Sequence, residues 1–212
     1  MKLEDVLELM HLARRRYTTI EARIRRRFEP ALVEAHRSHG VGSPMPAHGH
    51  VEAVDHVRFQ SPTRWRVDAE SGPGAGLVNI HDGEQTFRNF RFEDLGGGYG
   101  RGVYLGGPQT YRQVMWEPNM LIPEMWLEPR ETERVAGRDG VRVRAQPRQT
   151  SHDYIVLWPR ADRYELVVDL ERGVLLQLSM FVRGREAMSD ELLSVRFDEP
   201  LIDELMRFGQ AR

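Results

Sequence analysis

The order of short strand signals after a single helical one constrains this chain most. Leu3, Val6, Leu7, Leu9, Met10 and Ala13 recur at helical spacing. Glu4, Asp5 and Glu8 lie early and Arg14, Arg15 and Arg16 late, which suits the helix dipole. A helix over about residues 3–16 is predicted. The period then drops to two: Ile20, Ala22 and Ile24 alternate with Glu21, Arg23 and Arg25, the pattern of a half-buried strand. Strand signals follow almost to the end of the chain, broken by turn residues. One amphipathic helix and many strands imply a mainly β, α+β domain: an open antiparallel sheet, the only large surface that the helix stripe can cover.

Val51, Ala53, Val57 and Phe59 open the next strand region. Pro62 breaks it, and Trp65 and Val67 resume it. Leu77 to Ile80 and Gln85 to Phe90 read as a hairpin closed by Asp82-Gly83. Met115 to Met125 is apolar but interrupted by Pro118 and Pro123, so a short helix or an irregular plug is expected. From Glu131 onward the β pattern returns, with Val135, Val141, Val143 and Ala145 in two strands around an expected Asp139-Gly140 turn. Ile155 to Trp158 suggests a further short piece. Tyr164 to Asp169 and Val174 to Val182 flank the turn Leu170 to Gly173. Leu192 to Phe197 is read as the last strand, and Leu201 to Met206 as a helical turn or two. Two Gly-rich stretches, residues 34–50 and 94–108, read as loops. No repeat or linker divides the 212 residues, so a single domain is expected over 1–212.

Composition narrows the function classes. Cys is absent, which excludes a disulfide framework, a thiol nucleophile and a thiolate metal site. The formal charge of -2 gives no single-sign field for nucleic acid. Lys2 is the only lysine, and the arginines are spread along the whole chain. The N-terminus has no signal-peptide pattern, and no stretch approaches the roughly 18 apolar residues of a membrane helix. A cytoplasmic protein is expected.

Catalytic patterns are weak. His48, His50 and His56, with Glu52 and Asp55, offer zinc-type donors, but the spacing matches no standard zinc motif. Residues 94–108 hold seven glycines, without the Lys-Ser/Thr tail of a phosphate-binding loop. Ser151-His152-Asp153 are adjacent in sequence, whereas a triad is assembled in space. No serine stands in Gly-x-Ser-x-Gly. The aromatic and Met inventory says more. Met115, Trp116, Met120, Leu121, Ile122, Met125 and Trp126 form a dense patch between prolines, suited to the wall or plug of an apolar pocket.

The motifs, in order, resemble those of the LolA-like lipoprotein-carrier superfamily, which includes mycobacterial lipid carriers of the LppX and LprG type and the sigma-regulatory RseB. They are the helix-to-strand opening Leu3 to Arg27, Pro-x-Arg-aromatic-Arg at Pro62 to Arg66, and the Asp82-Gly83 hairpin. A Val-Ala-Gly-Arg turn follows at Val135 to Arg138, then Val-Asp-x-x-x-Gly at Val168 to Gly173 leading into Leu175-Leu176, and Asp-Glu-Pro at Asp198 to Pro200. The resemblance implies a curved antiparallel half-barrel whose concave face is covered by helices and holds acyl chains. It also points to actinobacterial members, with which the Arg-for-Lys bias agrees. There is no lipidation Cys.

The function expected is a non-catalytic binding protein for a lipid or other hydrophobic ligand, with no cofactor. Trp65, Phe87, Trp116, Met120, Trp126 and Leu176 are the expected walls and residues 94–108 the gate. One alternative is a protein-interaction or regulatory module with a filled core. Another is a metal-dependent enzyme using the His48 to His56 segment.

Overall fold

The computed structural model describes residues 1–29, 51–61, 63–72, 74–88, 113–148 and 161–206. Ten strands form one antiparallel sheet: β1 (Ile20–Phe28), β2 (Val51–Ser61), β3 (Arg64–Ser71), β4 (Val78–Asp82), β5 (Thr86–Arg88), β6 (Met125–Val135), β7 (Arg138–Pro147), β8 (Arg163–Asp169), β9 (Leu175–Val182) and β10 (Arg185–Phe197). Their spatial order is β5-β4-β3-β2-β1-β10-β9-β8-β7-β6. Two five-strand meanders thus run outward from the centre, where β1 pairs with β10. The chain leaves the sheet at one edge, β5, and re-enters at the other, β6. Along that return lie α2 (Gln113–Trp116) and a 3₁₀ turn at Pro118–Leu121. The plug expected between the prolines therefore exists as two short helical pieces.

The opening helix α1 (Leu3–Leu12) continues as a 3₁₀ turn, Ala13–Arg16. Its stripe Val6, Leu9, Met10 and Ala13 is buried in one cluster with residues from both meanders. Strand parity does the rest. Along β1, Ile20, Ala22, Ile24, Arg26 and Phe28 are buried, whereas Arg23 and Arg27 are exposed. The registers carry this inner face outward: Phe59, Val57 and Asp55 on β2, then Trp65 and Val67 on β3. In the other direction it runs through Met188 and Asp190, Met180 and Leu178, Tyr164 and Leu166, to Val143 and Ala145. The outer face is charged. No helix among the described residues is long and apolar enough to cross a membrane.

Two turns differ from expectation. The β6–β7 hairpin closes at Ala136-Gly137, with φ of 52° and 77°, the turn the family resemblance implied, and Asp139-Gly140, the turn read from the residues, lies inside β7. A two-residue hairpin of type I′ needs left-handed backbone at both central positions, and these residues supply it. Gly140 instead makes room: a Cβ there would stand 2.6 Å from Val167 Cγ1. The last strand is also longer than expected. It begins at Arg185, after a second left-handed pair, Arg183-Gly184, with φ of 52° and 75°.

Candidate ligand-binding site

The site is best built from the inner face. Phe59 and Trp65 stand side by side on β2 and β3, both buried. Trp116, fully buried on α2, comes down on this wall with its ring 6.5 Å from that of Phe59. The Tyr17 hydroxyl donates to the Trp116 carbonyl at 3.0 Å, tying α2 to the end of the opening helix segment. Burial pushes the Tyr17 phenol far above its ordinary range, so it remains a donor. The Trp116 indole Nε1–H is buried and has no acceptor among the described residues. Buried donors are nearly always satisfied, so an orphan on a ring packed against an apolar wall is notable.

The wall is not wholly apolar. Arg26 Nε donates to Asp190 Oδ1 at 2.8 Å, and both side chains are 1% exposed. The two residues face each other across the central β1–β10 pairing. Asp55, also buried, lies one inner-face position along, opposite Ile24. The sequence held the signal for Arg26, because it continues the even-numbered series Ile20, Ala22, Ile24. Its residue type hid it.

Of the six expected wall residues, Trp65 and Trp116 come together on the inner side with Phe59. Met120 is half-buried in the 3₁₀ turn beside α2. The other three lie elsewhere. Phe87 pairs with Ile80, which pairs with Arg66, and so sits on the outer face; Trp65 pairs with His81 on the opposite side. Trp126 is 63% exposed, because Met125 and Leu127 take the inner positions of β6. Leu176 is fully buried, but the bulge between the Val167 and Val168 pairings turns it toward Gly140 and Val167 on the outer side. Parity and a bulge, not hydrophobicity, decide these three positions.

The histidine candidates separate as well. His56 is on the outer face, with Nε2 2.7 Å from Glu21 Oε1 and Nδ1 3.2 Å from Arg58 Nη2. Glu21 also meets Arg58 at 3.2 Å and Arg196 at 2.6 Å. Burial alone would raise the Glu21 pKa. The hydrogen bond with His56 and the charges of Arg196, Arg58 and His56 together hold it below the usual carboxylate value. His48 and His50 lie outside the described residues, as do residues 94–108 and Ser151 to Asp153. Among the described residues no group of three or more His, Cys, Asp or Glu is placed to hold a metal.

No family model and no curated protein matches this chain. Solved structures do. The Pseudomonas aeruginosa MucA/MucB complex matches at 15% identity and a TM-score of 0.53, over 97% of this chain and 60% of that one. An uncharacterized conserved protein of Thermus thermophilus matches at 11% identity and a TM-score of 0.51, over 98% and 94%. The Mycobacterium tuberculosis lipoprotein LppX matches at 12% identity, over 95% and 99%, with a TM-score of 0.47 too low to carry weight. The chain shares its fold with the matched part of MucB and with the Thermus thermophilus protein. The open antiparallel sheet is the one the sequence resemblance implied, and at these identities the likeness concerns the fold alone. This chain spans about 60% of the length of the MucB chain it matches.

Proposed function

We propose that the protein is a non-catalytic carrier or sensor that binds a lipid-like apolar molecule along its inner face. The observation that carries this reading is Trp116. It is fully buried against the Phe59–Trp65 wall, yet its indole N–H has no partner among the described residues. An acyl chain would lie on the aromatic wall and contribute about 0.8 kcal/mol per buried CH₂. A carbonyl or carboxylate oxygen of the ligand would accept from the Trp116 indole. The LolA-like resemblance supports the reading.

Titration with an environment-sensitive fluorescent fatty acid tests it. Saturable binding is expected. Trp116→Phe keeps the ring and removes the donor, and should weaken binding roughly tenfold, the worth of one hydrogen bond of about 1.4 kcal/mol. An absence of saturable binding to natively folded protein would overturn the reading. A second reading is a protein-binding module of the same fold, favoured by the likeness to MucB, which was crystallised with MucA. It predicts that a peptide, not a fatty acid, saturates the protein.

A further inference from the structure

The inner face holds a second orphaned polar group, on β4. Trp65 faces His81 across the β3–β4 pairing, with the two rings 6.0 Å apart. The next inner-face pair along these strands is Val67 and Asn79. Side chains directly opposite in an antiparallel pair stand about 5 Å apart at Cβ, so Asn79 extends the Phe59–Trp65 wall by one strand. Ile80, its neighbour in sequence, takes the outer face opposite Arg66. Asn79 is 4% exposed, and its Oδ1 is buried with no hydrogen-bond donor among the described residues. The residue is unfavourable here on two counts. Asn is a poor strand former. A desolvated acceptor without a donor costs stability, which an apolar side chain of the same shape would spare. The described protein contacts therefore give no reason for a carboxamide at this position.

We infer that Asn79 is a specificity-determining residue of the inner-face site, its Oδ1 accepting from a hydroxyl of the bound lipid. The inference rests on the reading of that face as a lipid site, and it narrows the ligand class. The Trp116 indole is a donor and calls for an ester or acid oxygen. The Asn79 Oδ1 is an acceptor and calls for a hydroxyl. A fatty-acid carboxylate has lost its proton at neutral pH and offers acceptors alone. A simple alkyl ester is limited in the same way. An acyl ester with free hydroxyls, of the monoacylglycerol kind, offers both groups.

Competition against a bound fluorescent fatty acid tests it, with monooleoylglycerol and methyl oleate as the competitors. The two share the oleoyl chain and the ester carbonyl and differ in the free hydroxyls. The wild type should take monooleoylglycerol about tenfold more tightly, the worth of one hydrogen bond to a buried acceptor. Asn79→Leu keeps the branched shape and removes the acceptor, and should bring the two lipids within about twofold of each other. Loss of an orphaned acceptor should leave the Tm of the ligand-free protein unchanged or raised, whereas loss of a carboxamide hydrogen-bonded within the protein would lower it. Three results would each overturn the inference while the inner-face reading stands: equal affinities of the wild type for the two lipids, a preference that survives Asn79→Leu, or a lowered Tm in that variant. No uptake of the fluorescent fatty acid and no binding of either competitor would remove both.

Discussion

At the residue scale the strongest constraints are steric and electrostatic. Gly173 closes the β8–β9 turn with φ +74°, and a Cβ there would stand 2.0 Å from the Leu9 carbonyl oxygen. Helix α1 rests directly on this turn. Gly173→Ala should therefore lower stability by more than about 2 kcal/mol, combining left-handed strain with a backbone clash. Denaturant midpoints would measure it, and a loss under about 0.5 kcal/mol would mean that the helix is not seated there. The Arg26–Asp190 pair sets a second test. Asp190→Ala removes the buried carboxylate that Arg26 meets at 2.8 Å and should cost about 3–5 kcal/mol. Replacing both residues by apolar ones of similar volume should recover much of that loss. The Glu21 carboxyl gives a third. Its folded pKa lies below the ordinary value, so its stabilisation is present above the ordinary carboxylate range and is lost as pH falls through the depressed folded pKa. Glu21→Gln should reduce stability near neutral pH and flatten the acid limb of the stability profile in chemical denaturation.

At the element scale the strand ladder needed only periodicity. The opening helix, β1 to β5, β8 and the Asp82-Gly83 hairpin stand close to where alternation and turn residues put them. The Asp82 carboxylate explains that hairpin, accepting from the backbone N–H groups of Glu84 and Gln85, each at 3.0 Å. Legibility failed where a turn lacked the usual residue types. Arg183-Gly184 closes a hairpin in left-handed backbone, although Arg seldom adopts it, and periodicity missed the Ala136-Gly137 turn that the family resemblance placed. Asp139-Gly140 carried the standard turn signal inside a strand, because the glycine was needed to clear Val167. The site was legible in part for a related reason. Aromatic content marked Trp65 and Trp116, but a one-residue change of parity put Phe87 and Trp126 outside, and one bulge redirected Leu176. Arg183 is exposed at a positive φ, and an added Cβ at Gly184 would meet nothing within 4 Å. Arg183→Asn should therefore stabilise the β9–β10 hairpin by about 0.5–1 kcal/mol, as Asn tolerates the left-handed region. Thermal unfolding would register the gain as a higher Tm.

At the scale of the whole molecule, the two meanders share one inner face because β1 and β10, from opposite ends of the chain, pair at the centre. The return from β5 to β6 brings α2 onto that face, so the segment joining the outermost strands supplies Trp116 to the wall. Most of the ion pairs lie on the outer face, as at His56, Glu21 and Arg58. Native mass spectrometry of protein purified from its own host, with organic extraction of whatever co-purifies, tests the inner-face reading most directly. The account predicts a discrete additional mass of lipid size that Trp116→Phe reduces. A bare polypeptide mass, together with no saturable uptake of a fluorescent fatty acid, would contradict it.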